Sequence, residues 1–395
     1  MASLIPLTRR TAALLLVASL AACGGGGGSS DGSGGGGSTG GGESGGGTGG
    51  GNGNGGNGGN GGNGGNGSQS VTGTYQLKAG AENHSQMLAD ANAMGANGYV
   101  LFSSLTGAMT ATTRPDIGDF YLSDTAHAGR KFSYVNPASP GSMSDFLNQL
   151  NQQGSSGYMY KSGAAFPNEG NDFREIYVKD NSRSDQFTYR TVTPVATTAQ
   201  TFSAELNAQG QAGYRYLGPQ IINGVAFSLY AKRNDNVTYE YQVNSINSAS
   251  PAADNAGLQK LLTEKGAGGW FMRGVEGLGD APNFSFVDVY EKSSAQNGAI
   301  EYLVEPSQIG IPLQTQLDSM NANAAKGFFF FSQYGTEDGK FSAISIKNSA
   351  WMIHPLAGVS FPLTQKKTCS HNREHLFFDQ RRHQAPFLHR WLRCG

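Results

Sequence analysis

Three cysteines and seven histidines supply every thiol and imidazole in the chain, and their placement narrows the chemistry it can do. From Gly24 to Thr368 there is no cysteine, and His84 and His127 are the only histidines before His354. A cysteine nucleophile is therefore excluded from that stretch, and a histidine-rich metal site is disfavoured. A Ser-His-Asp triad would have to recruit His84 or His127. Within the repeats, residues 71–348, no Gly-x-Ser-x-Gly turn is present to carry its serine. Both histidines sit in polar, loop-like or helix-start surroundings, where a solvated surface imidazole is the simpler expectation. Carboxylates are scattered, and no acid–base pair stands out. Near the C-terminus, Cys369-x-His371-x-x-x-His375 and the later His383, His389 and Cys394 could ligate zinc, but the spacing matches no familiar finger. A disulfide between Cys369 and Cys394 is chemically permitted outside the cytoplasm. No catalytic residue, metal or cofactor is assigned, and the chain is read as not an enzyme.

Cys23 stands in a different context. Arg9 and Arg10 form a basic leader, and Thr11 to Leu20 is an apolar run too short to span a bilayer. The run ends in Leu20-Ala21-Ala22-Cys23, which resembles a bacterial lipobox. The resemblance implies cleavage before Cys23 and its acylation (palmitate among the chains), so residues 1–23 are a lipoprotein signal peptide. An ordinary signal peptide with an incidental cysteine is the alternative. Gly24 follows the cysteine. By resemblance to Gram-negative lipoproteins this implies the outer membrane, with the protein facing the periplasm or the cell surface. Residues 24–70 are almost wholly Gly, Asn and Ser, a composition that buries no apolar surface and stays disordered. Such a tether spans roughly 35–40 Å root-mean-square. It lacks the flanking strand, helix and Lys-Ser/Thr ending of a phosphate loop.

The elements that position everything else come from a repeated stretch. Leu150-Asn151-Gln152-Gln153-Gly154-Ser155-Ser156-Gly157-Tyr158 recurs closely from Leu206 to Tyr214, and more loosely from Ala91 to Tyr99, Leu262 to Trp270 and Met320 to Phe328. Its second glycine is Gly98, Gly157, Gly213, Gly269 or Gly327, at separations of 59, 56, 56 and 58 residues. A fixed period of this size means tandem supersecondary units. Ahead of each copy lies a helical stripe, as in Met143, Phe146, Leu147 and Leu150. The first glycine (Gly95, Gly154, Gly210, Gly266) falls where the helix should stop, and is expected to take the positive φ of a C′ residue. Ala324 stands there in the fifth copy, so that helix is expected to end differently. The second glycine is expected to allow close approach of helix and strand. The aromatic after it opens an alternating strand: Tyr158 and Tyr160, Tyr214 and Tyr216, Trp270 and Met272, Phe328 and Phe330. These are expected to pack on the preceding helix, with an aromatic strip for sugar or peptide as the alternative. Asn92, Asn151, Asn207 and Asn321 recur at the motif's second position and read as helix-end residues. Asp145 and Asp254 read as helix N-terminal residues.

Each unit opens with a Tyr- or Phe-rich strand, such as Phe132-Ser133-Tyr134 or Tyr239-Glu240-Tyr241, and has a last strand such as Phe173 to Lys179, Ala226 to Lys232 or Phe284 to Lys292, with Lys or Arg as the expected ending. Asn223-Gly224 is a hairpin turn before one of these closing strands. The unit is βαββ. The expected fold is α+β: five tandem βαββ repeats, each a three-stranded antiparallel-type sheet backed by one helix. The repeats cover 71–128, 129–183, 184–235, 236–296 and 297–348. This order, with a Gly-aromatic pair after the helix, resembles a small bacterial domain family of unknown function whose hallmark is Gly-Trp followed by Glu. Only Gly269-Trp270 keeps the pair, and Phe271 replaces the Glu. The resemblance implies a fold and no catalytic residue.

One such unit has a small core, so units should pack on one another. Phe328-Phe329-Phe330-Phe331 would promote aggregation if open, and is expected to be covered on both faces by a neighbouring unit. The same strand is more polar in units two and three, with Lys161 and Arg215. The repeats hold 19 Lys and Arg against 25 Asp and Glu, which gives no electrostatic reason to bind nucleic acid. Residues 349–395 break the pattern, with seven Lys and Arg against Glu374 and Asp379. That basic tail is expected to be disordered and dispensable for the fold, either an extension or translation in a shifted frame. The sequence points to a lipid-anchored envelope protein acting as a binding or scaffolding module. Its partners would be the membrane, through the N-terminal lipid, and an envelope protein or glycan. An envelope hydrolase with an unrecognised active site is the alternative.

Overall fold

The structure, a computed structural model, describes residues 71–108, 116–166, 172–279, 284–296, 298–308 and 310–347. The expectations for the signal peptide, Cys23, the glycine-rich linker and the basic tail lie outside the described residues. Unit one is β1 (Gly73–Ala79), α1 (His84–Ala96), β2 (Val100–Thr106) and β3 (Ile117–Asp124). Unit two is β4 (Phe132–Val135), α2 (Met143–Ser155), β5 (Met159–Ala165) and β6 (Phe173–Asp180). Unit three is β7 (Phe187–Val192), α3 (Ala199–Gln211), β8 (Arg215–Ile222) and β9 (Val225–Arg233). Unit four is β10 (Tyr239–Ile246), α4 (Asn255–Ala267), β11 (Phe271–Leu278) and β12 (Ser285–Ser293). Unit five is β13 (Glu301–Pro306), α5 (Leu313–Ala324), β14 (Phe329–Gly335) and β15 (Phe341–Lys347). In each unit the closing strand is central and pairs antiparallel with the other two. The fold is α+β, five βαββ units with one helix each. The Asn223-Gly224 turn joins β8 to β9, with both residues at positive φ (48° and 78°), as a two-residue hairpin requires.

The helices start as their sequences dictate. Asn83, Ser142, Thr198 and Asp254 are N-caps whose side chains accept from the backbone N–H three residues on. Asp145 therefore lies inside the first turn of α2, and Asp254 is itself the cap.

The helix ends correct the expected glycine roles. The first glycine is not the left-handed residue, because each helix runs past it. The second one is: φ is 83° at Gly98, 87° at Gly157, 84° at Gly213, 76° at Gly269 and 84° at Gly327. In unit two Tyr158 N–H donates to the Gln153 carbonyl and Gly157 N–H to the Gly154 carbonyl, both at 3.0 Å. This is a Schellman ending, and all five units share it. Unit five ends the same way despite Ala324, through Phe328 to Asn323 and Gly327 to Ala324. The first glycine instead allows close approach. A Cβ on Gly210 would lie 2.3 Å from the Tyr239 carbonyl oxygen, and one on Gly95 the same distance from that of Phe132.

That contact shows where the cores are. Each helix backs its own sheet but lies chiefly on the first strand of the next unit: α1 on β4, α2 on β7, α3 on β10, α4 on β13. The series closes, because α5 lies on β1. The five apolar clusters straddle the five junctions. One joins Met87, Ala91 and Leu101 to Phe132 and Tyr134. Another joins Leu313, Met320 and Phe329 of unit five to Tyr75 and Phe120 of unit one. The units form a closed ring, and burial shared between neighbours supplies the core that a unit of about 55 residues lacks alone. The phenylalanine run is covered accordingly. Phe331 packs on Phe271 of unit four with ring centroids 5.1 Å apart, and Phe330 packs on Phe102 of unit one at 5.8 Å.

Candidate functional site

The recurring polar residues converge on the junctions. The first strand of every unit is a sheet edge, and its outward backbone groups need partners. The motif asparagine of the preceding helix supplies them. Asn151 Oδ1 accepts the Tyr189 N–H at 2.8 Å, and its Nδ2 donates to the Tyr189 carbonyl. Asn92 does this to Tyr134, Asn207 to Tyr241, and Asn321 to Tyr75 across the closing junction. Unit four has Thr263 at that position. Gln259, one turn earlier, reaches the Val304 N–H and the Tyr302 carbonyl instead. The asparagines are thus not simple helix-end residues but clips between units. The tyrosine of each first strand completes the joint. Its hydroxyl accepts a backbone N–H from the second strand of the preceding unit: Leu101 to Tyr134, Tyr160 to Tyr189, Tyr216 to Tyr241, Met272 to Tyr302 and Phe330 to Tyr75. Burial pushes these phenols well above their ordinary range, so they stay neutral at physiological pH.

The second strand of each unit carries a bulge four residues after the left-handed glycine, at Phe102, Lys161, Leu217, Arg273 and Phe331. The bulged side chain turns toward the preceding unit. Lys161 Nζ donates to the Phe102 carbonyl at 2.9 Å, and burial pulls its pKa down to about 7. Arg273 Nη2 donates to the Tyr216 carbonyl. Where the other units place Phe102, Leu217 or Phe331, units two and four bury a cation.

The junction of units three and four gathers the most charge. Arg215 Nε donates to Glu291 Oε1 and Oε2 at 2.8 and 2.9 Å, and its Nη2 lies 2.7 Å from Oε1. Tyr241 donates to Glu291 Oε2 at 3.1 Å, and Arg273 Nε lies 3.8 Å from the same oxygen. Arg215, Arg273, Glu276 and Glu291 are 6, 6, 7 and 1% exposed. Burial opposes the Arg215 charge, but Glu291 more than offsets this and holds its pKa above the ordinary value. Burial lowers Arg273 despite Glu291. Glu276 accepts from the Tyr216 hydroxyl at 3.2 Å, and burial pushes its pKa up to about 8. A neutral carboxyl beside a buried guanidinium can hold a proton or help seat an anion.

The other sequence-derived candidates are dispersed. His127 is not on the surface. It is buried at 4% exposure, with Nδ1 2.7 Å from Asp124 Oδ1 and its own N–H donating to that oxygen at 2.9 Å. Asp124 caps the short 3-10 turn Thr125–His127, so this pair closes the end of β3. His84 opens α1, half-buried, with Nδ1 3.1 Å from Asp172 Oδ2. The two histidines lie on different elements, His84 at the start of α1 and His127 after β3, each beside an aspartate. Of the alternating aromatics, the second of each pair is core. The first is half-buried, with a closing-strand lysine over the ring, as with Lys179 over Tyr158 and Lys292 over Trp270. Gly98, Gly157, Gly213, Gly269 and Gly327 each end a helix. Among the described residues no group of three or more His, Cys, Asp or Glu is placed to hold a metal. None of the described helices is long and apolar enough to cross a membrane. Residues 128–253, from the end of unit one into unit four, are similar to a family described as PT dipeptide repeat lipoproteins. No curated protein and no solved structure matches the chain.

Proposed function

We propose that the chain is a lipid-anchored protein of the cell envelope, attached to the outer membrane through Cys23, whose ring of five units is a non-enzymatic binding or scaffolding module. The similarity of residues 128–253 to a lipoprotein family supports the anchor. The module reading rests on one observation: the recurring polar residues are engaged between units. Asparagine or glutamine clips and tyrosine hydroxyls join every pair of neighbours. A rigid ring on a glycine-rich tether presents its outer faces at a distance from the lipid, where an envelope protein or glycan could be met.

The anchor is tested by feeding cells a fatty-acid analogue. Label should appear on the wild-type chain and vanish in Cys23→Ala, which should also leave the membrane fraction. Equal label in both would overturn it. The module reading is tested with the purified full chain. It should be cross-linked reproducibly to a single envelope component, saturably and in competition with unlabelled chain. Turnover of ester, peptide or glycoside substrates by that same preparation would instead establish the hydrolase alternative.

A further inference from the structure

We propose that the junction of units three and four holds a small monovalent anion, a halide or a small carboxylate, against the guanidinium of Arg273. Arg273 is aimed from the bulge of β11 into unit three and is buried. Its Nη2 is taken by the Tyr216 carbonyl, whereas Nη1 has no hydrogen-bond partner. A buried guanidinium left with an open N–H and no full counter-charge is strongly disfavoured. Glu291 cannot serve as that counter-charge alone. It already receives Arg215 through Nε and Nη2 together with the Tyr241 hydroxyl, while Arg273 stands off at 3.8 Å. One carboxylate faces two guanidinium groups. The remaining acid, Glu276, accepts from Tyr216, and its burial favours the neutral carboxyl at pH 7. With Glu276 in that neutral form, the cluster carries one positive charge in excess, and the open Nη1 of Arg273 is where it is exposed. A singly charged anion balances it, and the flat guanidinium edge at Nη1 suits a halide or a carboxylate oxygen. A doubly charged oxyanion would overshoot.

The test is thermal unfolding of the full chain at pH 7 and constant ionic strength, with sodium chloride or sodium formate replacing sodium gluconate, whose bulk excludes it. Binding to the folded state should raise the wild-type midpoint by roughly 2–4 °C per tenfold increase of the small anion once the site is filling. The steeper of the chloride and formate arms identifies the class. Glu276→Gln should keep the slope, because a neutral group replaces a neutral group, and Arg273→Met should abolish it. A flat wild-type response, a slope that survives in Arg273→Met, or a slope that arises only in Glu276→Gln would each overturn the proposal. The last of these would mean that ionised Glu276 is the counter-charge. Should Arg273→Met not fold, wild-type crystals soaked in bromide decide: an anomalous peak in hydrogen-bond reach of Arg273 is expected, and its absence refutes the site.

Discussion

Replacing Gly210 by alanine separates the two roles a glycine can play at a helix end. Gly210 lies inside the last turn of α3 with ordinary helical backbone. On an isolated helix, alanine there would gain about 1 kcal/mol. In the ring the added Cβ would meet the Tyr239 carbonyl oxygen at 2.3 Å and Tyr241 Cε2 at 3.0 Å. The carbonyl is main chain and cannot rotate aside, so β10 must move off α3 by about 1 Å. That strains the Asn207 clip to Tyr241 and the hydrogen bond between the Tyr216 N–H and the Tyr241 hydroxyl. Overpacking costs roughly 1–3 kcal/mol, and each weakened hydrogen bond about 0.5–1.5 kcal/mol. Even after the helix-propensity gain, Gly210→Ala should lose roughly 2–4 kcal/mol. Urea unfolding followed by fluorescence and circular dichroism measures this directly. A variant as stable as the wild type, or more so, would show that α3 and β10 do not approach as described. Gly213→Ala should also destabilise, for a different reason: it places a side chain at positive φ, at a cost of about 1–2 kcal/mol.

Three further outcomes follow from the junctions. Removing the hydroxyl in Tyr189→Phe leaves the buried Tyr160 N–H unpaired and should cost roughly 1–3 kcal/mol in the same unfolding assay. The Glu276 carboxyl is held at about 8 when folded, against 4.5 ordinarily. The folded chain thus keeps a proton that the unfolded chain has released between those values. Its contribution is fully present below pH 4.5 and falls by on the order of 1 kcal/mol per pH unit up to about 8. Glu276→Gln should flatten that fall in urea midpoints measured across pH 5–8. Lys161 works in the opposite sense, since its folded value of about 7 lies below 10.5. Stability should rise as pH climbs from about 7 toward 10.5, and Lys161→Met should remove the rise.

The βαββ unit was legible because two periods overlap: helical spacing ahead of the motif and alternation after it. The five-fold count followed from the spacing of the glycines. Which glycine does what was not legible. In the sequence both lie between a helical stripe and an alternating run, and only the backbone path tells a left-handed cap at Gly213 from a close approach at Gly210 inside α3. The asparagine column was visible, but its partner strand lies in the next unit, 34 to 42 residues on, and 246 residues away at the closing junction. No local pattern encodes a contact of that range. His127 was misplaced because polar neighbours suggested solvent, whereas Asp124 three residues earlier was the available signal for a buried pair. The charge cluster could have been suspected by aligning the units. The bulge column reads Phe102, Lys161, Leu217, Arg273 and Phe331, and a cation that alternates with apolar residues in one column is a buried cation in need of a partner.

Closure of the ring is the claim on which the rest depends, and a distance between its ends tests it most directly. Gln76 in β1 and Ala322 in α5 are exposed and flank the Tyr75–Asn321 clip, where nitrogen and oxygen are 2.6 Å apart. Nitroxide labels on Gln76→Cys and Ala322→Cys, in a Cys23→Ala, Cys369→Ser and Cys394→Ser background, report their separation by dipolar coupling. A closed ring predicts a single narrow distance on the order of 10–20 Å, since each label is one residue from the clip. An open row of five units would place the labels roughly 40 Å or more apart, at about 10 Å per packed layer. That result would contradict the ring.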